Sequence, residues 1–145
     1  MNHKDARPML VEPQVQASWF NRVREARQAE TTEDYVELIA DLIDATGHAR
    51  LVDIAARFGV SHATSSKILL RLRDEGYIER PPYGAVLLTA KGQWLARKCK
   101  ARHEIILHFL LTLGVSRQAA EHDAEGMEHH VSEETLAAFR RHCQE

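Results

Sequence analysis

The apolar positions of this 145-residue chain recur mostly three and four residues apart, a spacing that predicts a mainly α-helical protein. A flexible tail is expected over residues 1–15, and a first helix is predicted over residues 16–29. Thr31 and Thr32 are typical helix-capping residues and are followed by two acids. A new helix is therefore predicted to begin at these threonines and to end at Gly47.

The middle of the chain has the pattern of a winged helix-turn-helix domain. Apolar spacing predicts a helix over residues 51–58, a glycine turn, and a third helix that Ser61 caps and Gly76 ends. Short runs of strand-forming residues on either side of Pro81–Gly84 then predict a β-hairpin. Two helices joined by a tight turn and followed by a hairpin have the element order of a winged helix-turn-helix.

Three further helices are predicted after the hairpin, beginning at Thr89, Ser116 and Ser132, because hydroxyl side chains at these positions can cap a helix. The predicted fold is therefore mainly α, with an N-terminal winged helix-turn-helix and a C-terminal helical domain. The predicted division of the chain is an N-terminal extension over residues 1–30, a winged helix-turn-helix domain over residues 31–90 and a helical domain over residues 91–145.

The third predicted helix has the features of a DNA-reading helix, whose N-terminal end enters the major groove in helix-turn-helix proteins. The whole chain has a formal net charge of −2, so the local positive charge of this segment favours DNA as its partner. A metal-free winged helix that binds another protein is the alternative interpretation. The residues predicted to contact bases or phosphates are Ser61, His62, Ala63, Thr64, Ser66, Lys67, Arg71 and Arg80.

The run from Glu125 to His130 contains a candidate divalent-metal site. On a helix, Glu125, Glu128 and His129 are at positions i, i+3 and i+4, so their side chains share one face. Two carboxylates and an imidazole make a poor apolar surface and a good metal site.

Three further side chains can complete this site. Asp34 and Glu37 are one helical turn apart, and His103 lies in the long helix that begins at Thr89. Taken singly, the two acids also fit the start of a helix, where the helix dipole favours negative charge, and His103 fits a surface position. Together, the six residues supply four carboxylates and two imidazoles. This hard donor set without thiolate suits Mn²⁺ and fits Zn²⁺ or Cu²⁺ less selectively.

Other functional classes find little support in the sequence. No apolar run approaches a membrane-spanning length and the N-terminus lacks a signal-peptide pattern, so a cytoplasmic protein without membrane contact is expected. Cys99 and Cys143 do not form a CxxC metal motif. His103, Glu104 and His108 miss the HExxH spacing of zinc proteases by one residue, and no nucleophile elbow, P-loop or dinucleotide motif is present. The chain is therefore not expected to be an enzyme.

Three motifs together resemble the manganese-responsive MntR branch of the diphtheria toxin repressor family. The resemblance extends from about Thr32 to about Phe139, and the winged helix lies between the first two motifs. The motifs are Glu33-Asp34-Tyr35-Val36-Glu37, Arg102-His103-Glu104 and Glu125-Gly126-Met127-Glu128-His129-His130.

This resemblance implies a homodimer, with dimerisation through the C-terminal helical domain, that binds a palindromic operator on double-stranded DNA. The implied function is repression of manganese-uptake genes when one or two Mn²⁺ ions are bound per subunit. In iron-sensing relatives Asp34 is typically replaced by Met and Glu125 by Cys, so the carboxylates here favour manganese. An iron- or zinc-responsive repressor of the same fold is the alternative. The implied metal ligands are Asp34, Glu37, His103, Glu125, Glu128 and His129, with Glu125 and Glu128 as bridges if two ions bind.

Overall fold

A computed structural model of the protein describes residues 7–82 and 84–145, and within them the chain forms six helices and one two-stranded antiparallel sheet. The mainly α-helical fold that the sequence predicts is confirmed, and so is the winged helix-turn-helix order of its N-terminal half. The elements are α1 (Pro13–Thr46), α2 (Leu51–Phe58), α3 (His62–Asp74), β1 (Ile78–Glu79), β2 (Leu87–Leu88), α4 (Ala90–Thr112), α5 (Arg117–Met127) and α6 (Glu133–Gln144).

Helix α1 is continuous across the position at which the sequence predicted a helix start. The prediction was wrong because Thr31 and Thr32 do not cap a helix. Their hydroxyls lie 3.4 Å from carbonyl oxygens one turn earlier, as in threonines inside a helix. Residues 24–30 are all strong helix formers, so nothing ends the preceding helix. Of the predicted flexible tail, residues 1–6 lie outside the described residues and residues 13–15 are helical.

The predicted hairpin is confirmed and is shorter than the apolar runs suggested. Ile78 pairs with Leu88, and Val86 forms an isolated antiparallel bridge with Ala49. Tyr83, which lies in the predicted turn, is outside the described residues.

The predicted N-caps are confirmed. In each case the side-chain oxygen of the capping residue accepts a hydrogen bond from a backbone N–H in the first helical turn. The caps are Ser61 on α3, Thr89 on α4, Ser116 on α5 and Ser132 on α6.

Within the described residues, the buried apolar side chains form three clusters. The first holds the winged helix together around Ile39, Ile54 and Leu69, and the second lies between α1 and α4 and includes Cys99. The third joins α4, α5 and α6 around Ile106. Helix α1 contributes to the first two clusters, so it connects the winged helix to the helical C-terminal half.

Gly92 allows α4 to begin close to the winged helix. A Cβ atom at this position would lie 2.2 Å from the carbonyl oxygen of Tyr77, closer than any side chain tolerates. No helix within residues 7–82 and 84–145 combines the length and the apolar character needed to cross a membrane.

Candidate metal centre and nucleic-acid interface

The six predicted metal-ligating residues meet where α1, α4 and the end of α5 come together. Asp34 and Glu37 lie on α1 and His103 lies on α4, whereas the remaining three lie on or just after α5. These remaining residues are Glu125, Glu128 and His129.

Glu128 is the central side chain of this site, because its two carboxylate oxygens face two different imidazoles. Its Oε2 lies 2.7 Å from Nδ1 of His103, and its Oε1 lies 3.5 Å from Nε2 of His129. Only 2% of the Glu128 side chain is exposed. The pKa of Glu128 is raised to about 7, chiefly by burial, with a further contribution from neighbouring acids.

His129 links the α5 end of the site to α1. Its Nε2 lies 3.0 Å from Oδ1 of Asp34, and its Nδ1 lies 2.6 Å from Oε2 of Glu33. Burial alone would lower the pKa of His129, but the hydrogen bonds to Asp34 and Glu33 outweigh it and raise the pKa to about 10. Without metal, His129 is therefore an imidazolium held between carboxylates.

The expectation that Glu125, Glu128 and His129 share one face of a helix is only partly correct. Helix α5 ends at Met127, so Glu128 is its C-cap and His129 lies in the turn that follows. As a result, Glu128 and His129 are buried whereas the Glu125 side chain is 68% exposed. The Oε1 atom of Glu125 lies 3.8 Å from Nδ1 of His103, so Glu125 still borders the site.

Arg102 fixes the turn that carries Glu128 and His129. Its guanidinium donates hydrogen bonds to the carbonyl oxygens of Glu128 and Val131 and to the carboxylate of Glu133. The sequence motif contained Arg102, but nothing in the residue pattern assigned it this role.

Glu37 lines the same cleft as His103, Glu125 and Glu128. Burial, followed by repulsion from Glu128, raises its pKa to about 8. Cys99 packs in the neighbouring apolar cluster, and burial raises the pKa of its thiol to about 12, so it offers no thiolate to a metal.

The donor atoms of the described residues form two groups that can each hold a divalent cation. One comprises His103, Glu125 and Glu128, and the other comprises Glu30, Asp34 and His129, with the donor atoms of each group within 4.8 Å of one another. Carboxylate oxygens and imidazole nitrogens fit Mn²⁺, and a divalent cation would relieve the repulsion that adds to burial in raising the pKa values of Glu37 and Glu128. The residues present therefore fit a bound divalent metal.

The sequence pattern did not indicate Glu30, and it indicated Glu33 as a helix-start acid and as part of a motif but gave it no role in the site. Glu30, Glu33, Asp34 and Glu37 are at positions i, i+3, i+4 and i+7 of one helix, so they share a face. This signal was hidden by the predicted helix start at Thr31-Thr32.

The N-terminal end of α3 presents the predicted DNA-contacting surface. Ser61 caps the helix, with its Oγ 3.1 Å from the backbone nitrogen of Thr64. The exposed predicted residues of this surface are Ser61, His62, Ala63, Thr64 and Lys67.

The other three predicted DNA-contacting residues also make internal contacts. Arg80, next to β1, donates to the hydroxyl of Ser66 at 2.9 Å and to its carbonyl oxygen at 3.2 Å, which fastens the hairpin to α3. Arg71 is half-buried and lies 3.5 Å from the hydroxyl of Thr32 on α1.

Comparison with known proteins identifies two family models that match successive parts of the chain. Residues 28–86 match the N-terminal DNA-binding domain of the iron dependent repressors, and residues 89–145 match their metal binding and dimerisation domain. These matches support DNA and a second subunit as partners and a divalent metal as a ligand.

The chain is also similar to named regulators and to a solved structure. It is 55% identical to transcriptional regulator MntR of Escherichia coli O157:H7 over 131 residues, which are 90% of this chain and 84% of the relative. It is 52% identical to the MntR of Salmonella typhimurium (strain LT2) over 130 residues, which are 90% of this chain and 83% of the relative.

The solved structure is that of a manganese-dependent transcriptional repressor in complex with manganese. It matches 78% of this chain with a TM-score of 0.69 and 28% identity, and this chain spans about half (52%) of its length. The chain therefore belongs to the MntR-type transcriptional regulators of the iron dependent repressor family.

Proposed function

We propose that this protein is a manganese-responsive, homodimeric transcriptional regulator that represses manganese-uptake genes when Mn²⁺ is bound. The observation that carries the proposal is the position of Glu128 between His103 of α4 and His129, which in turn contacts Asp34 of α1. These contacts place metal-ligating groups from three parts of the chain in one site, in a family of DNA-binding regulators.

Manganese is the proposed metal because the donors are hard. The proposed ligands are carboxylates and imidazoles, and the nearby thiol of Cys99 is protonated and packed among apolar side chains. We propose up to two ions per subunit, since the site contains two donor groups and Glu128 faces both. The proposed ligands are Asp34, Glu37, His103, Glu125, Glu128 and His129.

Helix α1 supplies the physical connection between this site and the DNA-reading helix. Tyr35 follows the ligand Asp34, and its hydroxyl lies 3.0 Å from the Oγ of Ser65 in α3, in a buried contact. When bound, a divalent cation offsets the charge of carboxylates on α1 and α5 and so favours their close approach. The position of α1 relative to α4 therefore affects the position of α3.

In a homodimer, the two α3 helices would contact two half-sites of a palindromic operator, whose spacing must match the separation of the helices. The exposed N-terminal end of α3 supplies the base and phosphate contacts, chiefly through His62, Thr64 and Lys67. Arg71 and Arg80 are proposed phosphate-contacting residues that also brace α3 through their internal contacts.

An iron- or zinc-responsive repressor of the same fold is the alternative, favoured by the iron dependent repressor models that match both halves of the chain. In either case the protein acts by binding rather than by catalysis.

A cytoplasmic location is proposed for the protein, because its proposed DNA partner lies in the cytoplasm. The proposed domains are an N-terminal extension over residues 1–30, a DNA-binding domain over residues 31–90 and a helical domain over residues 91–145, with α1 continuing across the first boundary.

The direct test is selection of bound fragments from a random double-stranded DNA library in the presence of Mn²⁺, followed by gel-shift titration of the selected fragment. The expected result is retention with Mn²⁺, loss with a chelator, and recovery when Mn²⁺ is restored. Parallel titrations with Fe²⁺ and Zn²⁺ separate the alternatives. Equal retention with and without metal would contradict the proposal.

A further inference from the structure

The part of α1 that precedes the winged helix brings a carboxylate to the metal centre. Glu30 is half-buried, and its Oε2 lies 3.1 Å from Nε2 of His130, in the turn after α5. A donor oxygen of Glu30 also lies within 4.8 Å of donor atoms of Asp34 and His129.

This placement follows from the continuity of α1. Glu30 and Asp34 are four residues apart on one helix, so their side chains point to the same side. The turn that carries His129 packs on that side, because Glu33 holds Nδ1 of His129 at 2.6 Å. If the helix began at Thr32, Glu30 would not be fixed in this position.

We propose that Glu30 is a metal ligand, which forms with Asp34 and His129 a divalent-cation position next to the one formed by His103, Glu125 and Glu128. The inference rests on the proposed function and adds a ligand to the same centre. The donors are two carboxylates and one imidazole, a set that suits Mn²⁺. The extension thereby participates in metal sensing, because one of its own residues binds the ion.

A purely structural role for Glu30 is distinguishable from ligation. If Glu30 acts only by holding His130, then His130→Ala has the same effect on metal binding as Glu30→Gln. If Glu30 is a ligand, Glu30→Gln weakens metal binding and His130→Ala leaves it nearly unchanged. Glu25→Gln is the matched control, since it removes the same charge from an exposed position on the same helix.

The experiment is a titration of the full-length, DNA-free protein with Mn²⁺, with free Mn²⁺ measured by electron paramagnetic resonance. It is performed on the wild type and on a His103→Ala/Glu125→Gln background, which removes the neighbouring position. In that background, Glu30→Gln is expected to weaken the remaining Mn²⁺ binding about tenfold or more, because loss of a ligand should cost at least as much as loss of a group that only orients a ligand. Circular dichroism melting curves establish that each variant is folded.

Three results would count against the proposal, and they have different meanings. Unchanged Mn²⁺ binding in Glu30→Gln overturns the role of Glu30 and leaves the proposed function intact. Equal losses in Glu30→Gln and His130→Ala reassign Glu30 to a structural role. Failure of the wild-type protein to bind Mn²⁺ overturns the proposed function itself. The proposal is supported when Glu30→Gln alone weakens binding, with Glu25→Gln and His130→Ala behaving like their parent proteins.

Discussion

The Nδ1 atom of His129 lies 2.6 Å from the Oε2 atom of Glu33, although the two residues are 96 positions apart in the sequence. This contact joins the turn after α5 to the helix that supports the winged helix. Because Nδ1 contacts Glu33, the other ring nitrogen, Nε2, faces Asp34 and Glu128. A carboxylate that holds one imidazole nitrogen while the other faces a metal position is a common arrangement in metalloproteins.

The metal-free protein is expected to lose stability as the pH rises. The pKa values of Glu37, Glu128 and His129 are about 8, 7 and 10, all above their ordinary values of 4.5, 4.5 and 6.5. Between the ordinary and the raised values, the folded state binds more protons than the unfolded chain, so the free energy of unfolding falls with increasing pH. Urea unfolding in the presence of a chelator, at intervals from about pH 5.5 to about pH 8.5, measures this trend.

The variant Glu37→Gln serves as the control for this trend. It removes one of the groups that titrate in this interval, so its stability should depend less steeply on pH below about 8, the pKa of Glu37. A free energy of unfolding that rises over the same interval in the wild-type protein would contradict the account of the buried acids.

Asp34→Met should reduce the preference for Mn²⁺ over Fe²⁺. The substitution replaces a hard oxygen donor next to His129 with a soft thioether. The expected change in relative affinity is about tenfold, or about 1.4 kcal/mol in the difference between the two binding free energies. Anaerobic titrations with both metals measure it, and Asp34→Asn, which keeps an oxygen, is the comparison. If the relative affinity is the same in all three proteins, Asp34 does not determine the preference.

Lys67→Ala should weaken DNA binding at all sequences without changing the metal affinity of the DNA-free protein. Lys67 is exposed on α3 and carries a positive charge near the N-terminal end of that helix, so its expected role is phosphate contact. The slope of log affinity against log salt concentration should decrease in magnitude by about one. Arg141→Ala, on the exposed surface of α6, should leave the slope unchanged. A large loss of metal affinity in Lys67→Ala would refute the separation of the two surfaces.

Gly92→Ala should destabilise the protein, because the added Cβ would lie 2.2 Å from the Tyr77 carbonyl oxygen and force α4 away from the winged helix. The expected loss is about 1–3 kcal/mol in the free energy of unfolding. Gly126→Ala is the matched substitution on α5, where no atom lies within 4 Å of the new Cβ. That variant should be as stable as the wild type or more stable, by up to about 1 kcal/mol. Equal stabilities of the two variants in urea would rule out the close contact.

The elements that local signals control were predictable from the sequence. Ser61, Ser116 and Ser132 each cap the helix that follows, because capping depends only on residues within one turn. The predicted helix start at Thr31-Thr32 was wrong because a local signal there has two meanings. A threonine can cap a helix or sit inside one, and the helix-forming residues before it decided the outcome.

The sequence predicted which residue types form the candidate site, but it did not predict their arrangement in space. Spacing along the chain identified Glu128 and His129, but it placed them on a helix that ends one residue before Glu128. The hydrogen bonds of Arg102 to the carbonyl oxygens of this turn depend on packing between α4 and the residues after α5. Periodicity within one segment carries no information about such contacts. Glu30 was missed for a different reason, because the predicted helix start at Thr31-Thr32 separated it from the acids with which it shares a face of α1.

Metal binding and operator binding are expected to favour the same arrangement of α1, α4 and α5. The most direct test is the dissociation constant of Mn²⁺, measured for the DNA-free protein and for the protein bound to its selected DNA fragment, with a scrambled fragment as the control. The coupling is reciprocal, so the selected fragment should tighten Mn²⁺ binding by about 5- to 150-fold, equivalent to about 1–3 kcal/mol. The same dissociation constant with the selected fragment, with the scrambled fragment and without DNA would contradict the account.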